Sequence, residues 1–201
     1  MPERAISALW VVWIASWILA ARWSRPAEAR SGVAGDSAYR VLMAVGVVLL
    51  FGFFTADFDR AHRAWAQPAG FAAWLLVVVA AAAFLFCWWA RLHLGRLWSS
   101  AVTRKADHRI IDTGPYAMVR HPIYTGLILA LVATAADHGT DLSILGGALM
   151  AAGMVAKARR EERFLRRELG PQAYDSYPRA GASSRRRQRC STPRRRHGRS
   201  R

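Results

Sequence analysis

The sequence predicts an all-α fold, a multi-pass transmembrane helical bundle of about five spans. Three observations lead there. Hydrophobic residues make up 53% of the 201 residues, and mean hydropathy is positive at +0.09. The apolar residues gather into runs, with the charged residues confined to the gaps, as in chains that cross a bilayer repeatedly. The gaps also alternate between rich and poor in Arg and Lys, the asymmetry that orients such chains.

The first run covers residues 5–21. Glu3 and Arg4 make a weak positive start, and no small-residue cleavage site precedes the next charges. It reads as a retained span rather than a leader, because more spans follow. The second run covers residues 38–56 and the third residues 70–90, the latter close to the ~20 residues that cross a bilayer. Two shorter runs, residues 122–136 and 142–158, flank "DHGTD" at 137–141, a turn signal built on Gly139. They read as a tight helical hairpin that extends into its polar flanks. The stretch "EERFLRREL" continues the last helix, with a stop at Gly170-Pro171.

Residues 1–178 thus form one membrane domain. The remainder, residues 179–201, holds ten arginines and no acid. Without it the formal charge of +16 falls to +6. The tail is low in complexity and reads as a disordered, solvated extension attracted to anionic lipid. No folded nucleic-acid motif accompanies it, so no specific nucleic-acid partner is expected. The two cysteines, Cys87 and Cys190, form no disulfide framework and lack metal-ligand company, so no metal is expected.

The cationic gaps decide orientation. Residues 22–40 hold Arg22, Arg25, Arg30 and Arg40, and residues 91–122 hold Arg91, Arg96, Arg104, Lys105, Arg109 and Arg120. The intervening gaps hold only Arg60 and Arg63, then none in 137–141. The N-terminus is therefore expected outside, with the two basic loops and the C-terminus in the cytoplasm. Several tryptophans near run ends, among them Trp10, Trp65, Trp88 and Trp89, suit interfacial belts.

The residues able to carry chemistry fall in two places on the expected cytoplasmic side. One is "TRKADHRIIDTGPYAMVRHPIYTG", residues 103–126; the other is "KARREERFLRRELGPQAYDSY", residues 157–177. Gly114-Pro115 marks a turn, and Pro122 suits the first position of a helix, where its missing N–H costs nothing. That helix start offers free N–H groups to an anion, with His121 before it and Tyr124 on its first turn. Glu161 and Glu162 point about 100° apart on their helix, so one can face the bundle while the other pairs with a neighbouring arginine. Taken singly, each residue also has a plain reading as an interface anchor, a helix cap or a solvated helix end.

In combination, "HRII", "GPYAMVRHPIYTG", "EERFL" and "LGPQAYDSY" resemble the isoprenylcysteine carboxyl methyltransferase family and its prokaryotic relatives, in order and spacing, over residues 92–177. The first three spans match in character only. The resemblance implies an integral membrane enzyme that uses S-adenosylmethionine, with a cytoplasmic cofactor pocket and a lipophilic methyl acceptor reached from the bilayer. It implies cofactor contacts at His108, Arg109, Ile110, Ile111, Tyr116, His121, Pro122, Ile123, Tyr124, Glu161 and Glu162, and more loosely at Thr103. The family's substrate-orienting arginine falls on Lys157, which keeps the charge but loses the bidentate fork; Arg160 is the other cation available for that task. Phospholipid and small-thiol methyltransferases share the pattern, and some NADPH-dependent membrane sterol reductases have a similar C-terminal half. After Tyr177 the tail departs from the family.

Overall fold

The computed structural model describes residues 2–22, 29–30, 37–52, 61–95, 103–104 and 113–169. The chain is an all-α bundle. Its helices are α1 (Pro2–Ala21), α2 (Ser37–Phe51), α3 (Gly70–Leu94), the single turn α4 (Pro115–Met118), α5 (Pro122–His138) and α6 (Asp141–Leu169). One small departure is a two-residue antiparallel pairing of β1 (Ala29–Arg30) with β2 (Thr103–Arg104).

Three helices are long and apolar enough to cross a membrane, over Arg4–Ala21, Gly70–Leu94 and Asp141–Phe164. Two shorter apolar helices, α2 and α5, stand among them. With 17 residues, α5 is roughly 25 Å long. Large apolar side chains such as Val11, Ile18, Phe71, Val78, Leu85 and Val132 point outward. In water such a surface would be costly; against lipid it is the expected one. The chain is an integral membrane protein.

Between apolar helices in lipid, close backbone approach takes over from hydrophobic burial as the source of cohesion. Small residues mark the seams. A Cβ built on Gly146 of α6 would lie 2.6 Å from Leu50 N and 2.7 Å from Gly46 O of α2. On Gly126 of α5 it would lie 2.6 Å from Cys87 Sγ and 2.8 Å from Ala83 O of α3. The thiol of Cys87, buried at that seam, donates to Ile123 O at 3.4 Å. Gly126→Ala must push α3 and α5 apart, a loss of about 1–3 kcal/mol of the kind overpacking produces. Thermal unfolding in detergent is expected to show the lower midpoint, with Thr125→Ala, whose parent residue is exposed, as the unaffected control.

The core between α1, α3 and α5 is aromatic. Trp10 meets Phe84 and Phe51 edge-on, with centroids at 4.8 and 5.3 Å. Trp13 stacks on Trp17 at 4.7 Å. Trp10 is a correction to the interfacial reading: it is 6% exposed and its indole N–H donates to Thr134 Oγ1 at 2.9 Å. Position near the end of an apolar run does not say which face of the helix a ring occupies.

At one end of the bundle, Gly139 takes φ +67 and closes the α5–α6 turn, as "DHGTD" suggests. The other end carries the polar segments. There Arg91, 1% exposed, donates from Nη1 to Gly95 O at 2.6 Å and from Nη2 to Ala20 O at 2.9 Å. Its cation sits on the C-terminal ends of α1 and α3, where both macrodipoles favour positive charge.

Candidate active site

Three local features aim the polar side chains. Gly114, at φ +57, turns the chain into α4, and a Cβ there would lie 2.8 Å from the His93 ring. Only glycine meets both conditions. Pro122 takes the first position of α5, as its fixed φ favours. His121 occupies the N-cap position with no side-chain capping bond, so its ring is left to face α6. On the other side, α6 continues unbroken beyond its apolar portion to Leu169 and carries Lys157, Arg160, Glu161 and Glu162 along one stretch.

These groups meet. Tyr124 donates its hydroxyl to Glu161 Oε1 at 2.7 Å. Lys157 Nζ stands 4.0 Å from the same oxygen and 5.5 Å above the Tyr124 ring. His121 Nδ1 is 3.9 Å from Glu161 Oε2, while its Nε2 is within hydrogen-bond distance, 3.1 Å, of Glu162 Oε1. Arg120 Nη1 approaches that Glu162 oxygen at 3.8 Å. The His121 and Tyr124 rings stack at 5.6 Å and 18°. All are partly shielded: the Lys157 side chain is 14% exposed and that of Glu161 21%.

The result is a half-buried pair of carboxylates, each with its own cation, beside the positive end of α5. Such a set offers carboxylate to an ammonium and backbone N–H groups to a carboxylate, so it suits the zwitterionic end of an amino acid. Glu161 and Glu162 divide the work as their angular separation requires: one turns to Tyr124 and Lys157, the other to Arg120 and His121.

Of the residues singled out from sequence, His121, Pro122, Ile123, Tyr124, Lys157, Glu161 and Glu162 come together at the α5–α6 contact. Pro122 is buried, and Ile123 packs against the apolar core. Arg160 is half-buried on α6. Tyr116 lies on α4 and stacks on His93 at 6.5 Å. Thr103 is in β2, which runs beside α6. His108, Arg109, Ile110 and Ile111 lie outside the described residues.

Sequence reasoning did not single out His93, which is held at 2.8 Å from Thr113 Oγ1 and braces the α4 turn. It counted Arg91 as a loop cation. The signal for both was present: "CWWARLHL" has no helix breaker, so α3 was free to run on to Leu94.

Residues 74–167 match the family described as the isoprenylcysteine carboxyl methyltransferase family. Through this segment, a little under half of the chain, the protein is similar to that family. The matched region begins in α3 and ends in the last turns of α6, so it contains the whole cluster around Glu161. No curated protein matches the chain. The match to the isoprenylcysteine carboxyl methyltransferase family over this segment makes the α5–α6 contact the candidate active site of a membrane methyltransferase.

Proposed function

We propose that the chain is an integral membrane methyltransferase that takes its methyl group from S-adenosylmethionine and passes it to a lipophilic acceptor. The observation that carries this is the paired carboxylate cluster at the mouth of α5, inside the family segment. The donor set fits the cofactor. Glu161 would hold the ammonium of its methionine part, in the place Lys157 now takes. The first N–H groups of α5, helped by Arg120, would hold its carboxylate. Tyr124 fixes Glu161 through its hydroxyl, and Pro122 fixes the start of α5. Ile110 and Ile111, with His108 and Arg109, would enclose the adenine, and Tyr116 and Thr103 would border it. Glu162 orients His121.

When bound, the cofactor supplies a methyl already activated by the sulfonium. The chain's own work is then positioning and exclusion of water. Half-buried charges backed by the apolar α3–α5 seam suit that work. A carboxyl acceptor of the isoprenylcysteine type would be oriented by a cation, Lys157 or Arg160. The Arg and Lys distribution supports a cytoplasmic site, with the N-terminus outside and the C-terminus inside.

Titration calorimetry of the protein in detergent tests the reading. S-adenosylhomocysteine is expected to bind and NADPH to give no heat. Binding of NADPH alone would favour the reductase class that shares this C-terminal half. Failure of well-folded protein to bind either would sink the cofactor assignment.

A further inference from the structure

The cofactor reading gives His121 a contact but no proton to move. His121 is held from two sides: its Nε2 by Glu162 at 3.1 Å and its ring face by Tyr124 at 5.6 Å. A carboxylate bonded to one imidazole nitrogen fixes the tautomer in which that nitrogen carries the proton. The other nitrogen is then a lone-pair acceptor. Here that is Nδ1, which lies 3.9 Å from Glu161 Oε2, beyond hydrogen-bond distance, on the side where the cofactor's ammonium would sit. An orienting carboxylate, an imidazole and a second nitrogen turned to the cofactor side of the site make up a general-base arrangement. A carboxylate acceptor has no use for a base.

We propose that His121, oriented by Glu162, is the general base of this site and that the acceptor is a lipophilic thiol that arrives carrying its proton. The inference rests on the S-adenosylmethionine reading above. Among acceptors with a proton to lose, a thiol suits an imidazole best. A cysteine-type thiol titrates near ~8.5 and a lysine-type ammonium near ~10.4, whereas imidazole works around neutrality. In the step, the acceptor sulfur forms a bond to the methyl carbon. The methyl–sulfonium bond breaks, its electron pair stays on the donor sulfur, and the donor leaves as a neutral thioether. The thiol proton passes to His121 Nδ1. The resulting imidazolium lies between Glu162 and Glu161, which offset its charge.

The test uses the full chain in detergent micelles with labelled S-adenosylmethionine and three acceptors: 1-dodecanethiol, dodecylamine and S-farnesylcysteine. Methylation of the thiol is expected. His121→Asn is expected to slow that reaction by about 100-fold or more, the size of a lost general base. With 4-nitrothiophenol, already ionised at the assay pH, the same variant is expected to lose less than about tenfold, since no proton remains to be taken. Comparing the two thiols within one variant at saturating cofactor cancels any loss of cofactor affinity. Glu162→Gln is expected to shift the ratio in the same direction and serves if His121→Asn does not fold.

A readout without turnover is also available. With S-adenosylhomocysteine bound, added 1-dodecanethiol is expected to show ultraviolet thiolate absorbance in the parent protein and none in His121→Asn. Equal losses for the two thiols, or turnover of only the amine or only S-farnesylcysteine, overturn the proposal. So does a protein that binds S-adenosylhomocysteine yet methylates no thiol. Failure to bind S-adenosylhomocysteine overturns the cofactor reading itself, and the proposal with it.

Discussion

Glu161→Gln is expected to weaken S-adenosylhomocysteine binding by about 10- to 100-fold, the loss that follows when a charge-assisted bond worth ~1.5–3 kcal/mol becomes neutral. The reason lies in what the carboxylate touches. It accepts from Tyr124 at 2.7 Å and has Lys157 at 4.0 Å on the same oxygen, with His121 Nδ1 at 3.9 Å from the other. Glutamine keeps the shape and one acceptor oxygen but removes the charge. In the free protein the change leaves Lys157 without its carboxylate. In the complex it leaves the cofactor's ammonium without one. Glu168→Gln, two helical turns further along α6, is expected to change the affinity by less than about twofold. Calorimetry on the two variants side by side checks this; equal losses would mean that the effect is one of net charge, and Glu161 would lose its role.

Much of this site was legible because it is punctuated by residues with narrow backbone preferences. Gly114-Pro115 and Pro122 set a turn and a helix start, and the structure has both. The continuation of α6 past its apolar portion was legible from "EERFLRREL", and it is this continuation that brings Glu161 within reach of Tyr124. The five apolar runs were legible from hydropathy alone. What hydropathy cannot encode is the face on which a membrane helix meets its neighbours, since lipid and protein interior are equally apolar. Trp10 shows this: its ring is in the core and bonded to Thr134. The glycines show it too. Gly46 and Gly146 become a seam only once α2 and α6 are side by side.

Arg91 shows the same limit from the polar side, and it carries the largest stability effect expected here. An arginine at the end of an apolar run reads as a loop charge that helps orient the chain. In the structure it is 1% exposed and joins two helices that are distant in sequence, through Ala20 O at 2.9 Å and Gly95 O at 2.6 Å. Arg91→Ala removes both bonds and leaves two carbonyls at helix ends that water reaches poorly. Bonds from a charged donor contribute ~1.5–3 kcal/mol each, so a loss of about 3–5 kcal/mol is expected, measured as chemical unfolding in detergent. Arg91→Lys is expected to recover only part of it. A lysine keeps the charge at the two helix termini but has no fork with which to reach two carbonyls at once. The consequence extends to function, because the same end of α3 carries His93, which braces Gly114 and Tyr116 at the edge of the site. Freeing α1 from α3 is therefore expected to lower cofactor affinity in the fraction that stays folded, although Arg91 is absent from the charge cluster around Glu161. If Arg91→Ala unfolds at the parent's denaturant midpoint, the clamp contributes nothing.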